Sequence, residues 1–320
     1  VPRGIASGLA TVTVGSAGAD PYEIEVEIVR LYGVLNVSGT LAFYGLDGEG
    51  RQYSSYTVGT GPGFLSLSSA GDRLLAVAAS EGELHFLELT TNALEPYAPS
   101  VSLGIPLGRG ALLDRGAVVA SEQGVGYIAQ LPDGSLVLDT WLDTGPVSAL
   151  AAAPRSHRVV AVGTSGDATS TVNVMYRINA NLQPPELVDD EGVAILGTVG
   201  GVSDVIMTPD GVVGIAVNSV DNTLTSVVFE GTSATVTADL PAEDTGCTRL
   251  VAEAESKWLA VLCEDSRTAA VYAVNAGGFQ HAVSVSVDPR AAEAHLQQVP
   301  VDAGFAPDGV LYVLLADGAV

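Results

Sequence analysis

A short turn triplet recurs six times along this chain, each time followed by an apolar stretch, a small acidic turn and a second apolar stretch. The triplets are Ser69-Ala70-Gly71, Asp114-Arg115-Gly116, Pro154-Arg155-Ser156, Pro209-Asp210-Gly211, Ala254-Glu255-Ser256 and Pro307-Asp308-Gly309. Their last residues are 45, 40, 55, 45 and 53 positions apart. Recurrence at this length is typical of repeat proteins, and one blade of a β-propeller takes about 40–50 residues. The spacing therefore predicts an all-β repeat fold of the propeller type.

The first stretch after each triplet is almost continuously apolar, for example at 74–79, 258–262 and 310–315. Continuous apolar runs indicate strands covered on both faces, whereas strict alternation indicates a sheet with one wet face. A blade between two neighbouring blades has this double coverage. A doubly wound α/β fold would have it too, but such a fold needs amphipathic helices between its strands, and the chain has almost none. The pattern favours a β-propeller.

Aligning the units on their triplets predicts where the innermost strand of each blade starts. These starts lie near Phe64, Gly110, Val147, Val202, Cys247 and Val301. Four further strands, at 24–29, 31–37, 41–46 and 53–58, predict a seventh blade before them, and a strand at 9–14 is left over. We predict a single domain, 5–320, of seven four-stranded blades, closed by the N-terminal strand joining the last blade. Closure of this kind removes exposed sheet edges.

The composition is that of a packed globular protein, with 47% hydrophobic and 16% charged residues. Its 37 acidic residues against 13 Lys and Arg give a net charge of -24, which repels phosphate backbones and anionic membrane surfaces. We therefore expect no nucleic-acid partner. No stretch approaches the ~18 consecutive apolar residues of a membrane span. The acidity fits either solubility in a salty setting or a site for cations or basic partners.

Residues 1–4 resemble most of a thrombin cleavage site, so these residues are either a tag remnant or a native terminus.

The two cysteines, Cys247 and Cys263, lie at equal distances from the centre of one predicted turn at Glu255. In a hairpin they would face each other with Cβ atoms about 4.5–5.5 Å apart, and strand twist can bring them to the about 3.5–4.5 Å of a disulfide. We predict a disulfide, which implies an oxidising compartment. Two buried free thiols are the alternative. Two cysteines without a nearby histidine pair do not make a zinc site.

Two repeats carry a longer pattern, Thr208-Pro209-Asp210-Gly211 and Ala306-Pro307-Asp308-Gly309, each followed by an apolar strand. They resemble the Pro-Asp-Gly core of bacterial YVTN/lactonase-like seven-bladed propellers, closely in these two repeats and loosely in the others. The pattern is structural, because Asp-Gly forms the tight turn between inner strands. Some family members are similar to sugar-lactone hydrolases, and many are binding or surface proteins. No catalytic set carries over, since the histidines are scattered and none lies in a motif with an acid and an Arg.

Acidic residues recur in the turn after the second strand of each unit. They are Glu81, Glu122, Asp167, Asp221, Glu264, Asp265 and Asp317. In a propeller these turns share one face with the connections between blades, so they predict a broken ring of carboxylates around one mouth of the central channel. Such a ring could bind a hard cation such as Ca²⁺ or a cationic peptide. Alternatively, the acidic residues are there because turns favour them for backbone reasons.

Asp204 and Asp302 occupy equivalent places, each five residues before the Pro of its triplet. This places both near the start of an innermost strand, close to the channel. Two carboxylates there could bind a metal or act as an acid/base pair. The alternative is that they accept backbone hydrogen bonds and fasten the turns between blades.

We predict a non-catalytic binding propeller of a bacterial secreted or cell-envelope protein, located outside the cell, in the periplasm or on the cell surface. Its acidic channel mouth would face a protein, a peptide or a small cation, and we expect a monomer. The alternative is a lactonase-like hydrolase or lyase whose channel carboxylates hold a divalent metal. No motif requires a cofactor, and Ca²⁺ is the cation these carboxylates would take. An enzyme needs three or more of the carboxylates within reach of one point, whereas a binder can leave them spread.

Overall fold

The computed structural model of the chain describes residues 8–14, 22–28, 31–35, 39–45, 52–61, 63–68, 72–90, 93–153, 156–167, 170–180, 186–187, 193–198, 201–231, 233–253, 257–275, 278–287, 299–305 and 309–316. Within these ranges every regular element is a β-strand. No helix among them is long and apolar enough to cross a membrane. The fold is a β-propeller.

The N-terminal strands form two small sheets. Strand β1 (Gly8–Val14) pairs antiparallel with β2 (Tyr22–Ile28). Strands β3 (Leu31–Leu35), β4 (Thr40–Gly45) and β5 (Gln52–Thr57) form a three-stranded sheet. The predicted first blade is therefore wrong in its first strand, because β2 pairs with β1 rather than with β3. The predicted closure, with the N-terminal strand joining the last blade, is not seen among the described strands and stays a prediction.

Five complete blades follow, each an antiparallel sheet in which the chain steps outward from an innermost strand. Blade I contains β6 Phe64–Leu67, β7 Arg73–Ala78, β8 Glu83–Leu89, β9 Leu94–Pro96 and β10 Val101–Ser102. Blade II contains β11 Gly110–Leu113, β12 Gly116–Ser121, β13 Gly124–Gln130 and β14 Leu136–Leu142. Blade III contains β15 Val147–Ala152, β16 Arg158–Asp167, β17 Ser170–Asn179, β18 Glu186–Leu187 and β19 Val193–Thr198. The outer position is shared by β9 and β10 in blade I, and by β18 and β19 in blade III.

The remaining strands complete two more blades and begin another sheet. Blade IV contains β20 Val202–Met207, β21 Val213–Asn218, β22 Thr223–Glu230 and β23 Ser233–Pro241. Blade V contains β24 Cys247–Ala252, β25 Trp258–Cys263, β26 Thr268–Asn275 and β27 Gly278–Ser286. A two-stranded sheet of β28 Pro300–Phe305 and β29 Leu311–Leu315 follows. The structure thus shows five blades, not the seven predicted. The difference arises because the described strands at both ends of the chain form sheets of only two or three strands.

The first strands of successive blades lie side by side around a central axis. Strand β6 contacts β11, β11 contacts β15, β15 contacts β20, β20 contacts β24, and β24 contacts β28. These strands are therefore the innermost ones, and the later strands of each blade lie progressively farther from the axis.

Among the described residues the core forms five apolar layers, each between two consecutive sheets. Strand β7 shows how one strand serves two layers. Leu75 and Val77 pack in the layer shared with blade II, while Leu74 and Ala76 pack against Leu41 of the three-stranded sheet. This confirms that the apolar run at 74–79 is a strand covered on both faces, whereas the run at 310–315 is only partly covered, with Val310 46% exposed. Full burial of one such Leu or Val side chain stabilises the fold by about 1.5–3 kcal/mol.

The Pro-Asp-Gly repeat forms a hydrogen-bonded turn between β20 and β21. The Thr208 hydroxyl donates to the Asp210 carboxylate at 2.6 Å, and the N–H of Val213 donates to the Thr208 hydroxyl at 2.9 Å. Gly211 has φ of 70°, a left-handed conformation that glycine adopts without steric cost. This triplet therefore serves folding, as predicted.

Candidate functional site

Five of the seven turn carboxylates predicted from the sequence are described with their side chains, and they lie on one face of the molecule. In each blade the turn between the second and third strands lies at the end of the blade where the innermost strand begins. In blade V, for example, the first residue of β24, Cys247, pairs with the last residue of β25, Cys263. We call the set Glu81, Glu122, Asp221, Glu264 and Asp265 the acidic face; all five side chains are exposed. Asp167 ends β16, but its side chain lies outside the described part of the structure, as does the whole of Asp317.

Several side chains of the acidic face are tied to nearby chain segments. Glu81 accepts hydrogen bonds from the N–H of Thr60, at 3.2 Å, and from its hydroxyl. Glu264 accepts one from the Thr248 hydroxyl at 2.8 Å, and Asp221 accepts one from the Asn218 amide at 3.1 Å. The two bonds of Glu81 connect the turn between β7 and β8 to Thr60, in the chain segment that leads into blade I. Part of the acidity therefore serves to connect neighbouring chain segments, although all five residues are exposed.

A second group of side chains lies at the axis. Asp204 in β20, Arg249 in β24 and Asp302 in β28 each pair with the next-to-last residue of the neighbouring strand, after a β-bulge at the start of the innermost strand. The same offset of five residues before the triplet holds Phe64, Arg109 and Ala149 in the other repeats. We call these six positions the axial ring.

The Arg109 side chain crosses the axis. Its guanidinium donates a hydrogen bond to Oδ1 of Asp204 and lies over the Phe64 ring at 5.4 Å from the ring centroid. Arg109 comes from blade II, Phe64 from blade I and Asp204 from blade IV. Blades II and IV are not neighbours, so their side chains meet only across the channel. The Arg109 guanidinium therefore occupies the channel.

Asp204 is buried, with only 1% of its surface exposed, and it holds blades together through hydrogen bonds. The N–H of Leu250 in blade V donates to Oδ2 at 3.0 Å, and the N–H of Val205 donates to Oδ1 at 2.8 Å. Burial raises the pKa of this carboxyl well above its usual value; the two N–H donors lower the pKa, and the neighbouring Asp302 raises it further. Asp204 thus connects three blades through its two oxygens.

Asp302 is solvent-accessible, but the surrounding channel wall desolvates its carboxylate. This burial among protein atoms raises the pKa of Asp302, while the Arg249 guanidinium and the N–H of Ala303 lower it. The Ala303 N–H donates to Oδ1 at 2.9 Å. The two aspartates predicted from the sequence are therefore close enough to interact electrostatically, and each has an arginine nearby.

The arginines of the axial ring were missed by the sequence reasoning. The signal that locates them is the five-residue offset before the triplet, which Arg109 and Arg249 share with the two aspartates. In the described residues no three His, Cys, Asp or Glu side chains come together in a way that could hold a metal ion. The axial ring instead combines two carboxyl groups with two arginines, which suits ion pairing and hydrogen bonding because a guanidinium is a permanent cation with several N–H donors.

The predicted disulfide is present between Cys247 and Cys263, whose Cα atoms are 3.8 Å apart. Both cysteines are buried, and the pair lies at the bulge that positions Arg249. The disulfide therefore links the first two strands of blade V directly beside the axial ring.

No model of a protein family matches the chain, and no curated protein matches it in sequence. Solved structures resemble it across most of its length. The β-propeller domain of Cps50 (Swd1) from Myceliophteria thermophila has a TM-score of 0.68 at 12% identity, over 98% of this chain and 95% of that one. The periplasmic gluconolactonase PpgL of Pseudomonas aeruginosa has a TM-score of 0.68 at 16% identity, over 90% and 89%. Hydrazine synthase of Kuenenia stuttgartiensis has a TM-score of 0.66 at 11% identity, over 88% and 90%. At these identities the likeness establishes a β-propeller fold and leaves the activity open.

Proposed function

We propose that this protein is a non-catalytic binding propeller that takes a basic peptide, a basic protein segment or a small cation on its acidic face. The observation that carries the proposal is the spread of exposed carboxylates over blades I, II, IV and V, from Glu81 to Asp265. A surface of one charge attracts partners of the other charge and speeds their encounter. With a net charge of -24, the protein as a whole adds to that attraction.

The disulfide supports a location in an oxidising compartment, because such bonds persist outside the reducing cytosol. We propose that the protein is secreted, periplasmic or attached to a bacterial cell surface, and that it acts as a monomer.

The test uses a basic decapeptide such as deca-lysine, with binding measured by calorimetry at low and at high salt. The triple variant Glu122→Gln, Asp221→Asn, Asp265→Asn removes three charges from the acidic face. The matched control Glu95→Gln, Glu186→Gln, Glu230→Gln removes three exposed charges elsewhere. Each exposed ion pair contributes about 0.5 kcal/mol, so the first variant should weaken binding about tenfold and the control much less. Equal weakening by both variants, or no binding at low salt, would refute the proposal.

A lactonase-like hydrolase is the second candidate, and Asp302 favours it. A solvent-accessible carboxylate with a raised pKa beside an arginine is a chemically reasonable acid/base group. If this candidate is correct, a δ-lactone such as gluconolactone is hydrolysed faster with the protein than without it, and Asp302→Asn abolishes the difference.

A melting curve in Ca²⁺ and in chelator tests whether such a hydrolase would use a bound metal, which is the metal form of this candidate. A metal bound only by the folded state raises the melting temperature. No shift would exclude that form.

A further inference from the structure

A separate concave site lies on blade II, at the end of the molecule opposite the acidic face. It is a surface cavity of 610 Å³ between the turn that joins β11 to β12 and the turn that joins β13 to β14. Ligand sites usually have volumes of about 300–1,000 Å³. The cavity is distant from the axial ring along the blade, so its use would be independent of the proposed function.

The floor of the cavity is apolar. Tyr127 and Ala129 lie on the same side of β13 and are 2% and 9% exposed. Leu131, which is 40% exposed, and Pro132 extend this surface along the following turn. Because Tyr127 and Ala129 are nearly covered, the accessible apolar surface is that of Leu131 and Pro132, which can take one apolar side chain of a ligand.

Two opposite charges line the same cavity. A bulge in β14 leaves Asp139 without a partner on β13, because Tyr127 pairs with Thr140 and Ile128 pairs with Leu138. Bulges of this kind redirect a side chain, and here Asp139 lines the cavity.

Arg115 supplies the positive charge, and its backbone is held against β13. Its carbonyl accepts hydrogen bonds from the Gln130 N–H at 3.3 Å and from the Tyr127 hydroxyl at 3.4 Å. The Arg115 and Asp139 side chains are exposed, and neither forms an ion pair with a described residue. Both charges therefore remain available to a ligand.

We propose that this cavity binds a short extended peptide that carries an acidic and a basic group on either side of an apolar residue. The acidic group would pair with Arg115 through the planar guanidinium, which suits a carboxylate. The apolar side chain would lie on Leu131 and Pro132, and the basic group would pair with Asp139. Gln130, which also lines the cavity, has an amide that can both donate to and accept from a peptide group.

The probes are the blocked tripeptides acetyl-Glu-Leu-Lys-amide and acetyl-Lys-Leu-Glu-amide, with acetyl-Gln-Leu-Gln-amide as the neutral reference. Binding is followed by amide chemical shifts of the isotope-labelled full chain. One charged tripeptide should bind saturably and shift the signals of Tyr127, Ala129 and Gln130. Arg115→Gln and Asp139→Asn should each weaken it about threefold to fivefold and leave the neutral peptide unchanged, as expected for one exposed pair.

The double charge reversal Arg115→Glu, Asp139→Arg provides the sharper test. It should exchange the preference between the two charged tripeptides while leaving deca-lysine binding at the acidic face unchanged, which separates this proposal from the proposed function. Melting curves confirm that the variants fold, and both substituted side chains are exposed. The proposal is overturned if no tripeptide saturates the signals of this cavity, or if the reversal leaves the preference as it was.

Discussion

Asp204 and Asp302 occupy the same position of the repeat and have different surroundings. Each follows a bulge in an innermost strand, and each accepts a hydrogen bond from the next N–H, at 2.8 Å and 2.9 Å. Asp204 is buried, bonded to Arg109 and to the N–H of Leu250. Asp302 is open to solvent and has Arg249 as its nearby opposite charge.

The comparison shows which part of a site the repeat determines. The bulge and the local hydrogen bond come with the repeat, so both carboxylates point the same way from their strands. Burial and partners come from other blades, and these differ around the ring. The same residue type therefore holds blades together in one repeat, as Asp204, and is a solvent-accessible acid in the other, as Asp302.

The largest expected effect is that of Asp204→Ala on stability. Removing one partner of a buried charge pair typically costs about 3–5 kcal/mol, because the other charge and the donors to the lost carboxylate are left without partners. Asp302→Ala is the matched variant and should cost less than about 1 kcal/mol, as for exposed pairs. Urea unfolding of both variants measures the difference. Equal losses would mean that the two aspartates have the same role.

The Arg109–Asp204 pair can be isolated by a double-mutant cycle with Arg109→Ala. Because the two side chains are in contact, the double variant should lose less stability than the sum of the single variants. Additive losses would show that Asp204 acts through Leu250 and Val205 alone.

An intermediate effect is expected from the disulfide. Strand β24 lies between the two aspartates, since its Leu250 N–H bonds Asp204 and its Arg249 faces Asp302. Closing a loop of about 15 residues stabilises a protein by about 3 kcal/mol in the chain-entropy account. Reduction should therefore lower the free energy of unfolding by about 2–3 kcal/mol, measured by urea unfolding with and without dithiothreitol. If reduction changes nothing, the bond does not brace blade V.

Much of the fold was predictable, because local turn chemistry and apolar runs both carry the repeat. The predicted starts Phe64, Gly110, Val147, Val202 and Cys247 are the first residues of β6, β11, β15, β20 and β24. The N-terminal strands lack a turn triplet, and an apolar pattern does not identify a strand's partner. For that reason the pairing of β2 with β1 was missed, and the number of blades was overestimated because the described strands at both ends form sheets of only two or three strands.

The candidate site was predictable only in its positions. The five-residue offset located Asp204 and Asp302, and the same offset holds Arg109 and Arg249. Which aspartate is buried depends on a contact between residues 95 positions apart, on blades that are not neighbours. Such contacts follow from the curvature of the whole ring, which no local pattern contains.

The smallest expected effect is on the pH dependence of stability, and it separates Asp302 from an ordinary turn aspartate. Desolvation raises the pKa of Asp302 in the folded state, so the folded protein holds that proton more tightly than the unfolded chain. The stability from this proton is fully present below the unfolded value of about 3.9 and is lost as the pH rises through the folded pKa. Asp302→Asn cannot titrate, so its stability relative to the wild type should increase with pH over that window.

Asp133 is the control of opposite sign, because hydrogen bonds from the Ser135 hydroxyl and N–H lower its pKa. Its contribution is present above the unfolded value and is lost as the pH falls, so Asp133→Asn should gain relative to the wild type as the pH falls. Urea unfolding at several pH values between about 3 and 7 measures both slopes, and slopes of the same sign would contradict the desolvation of Asp302.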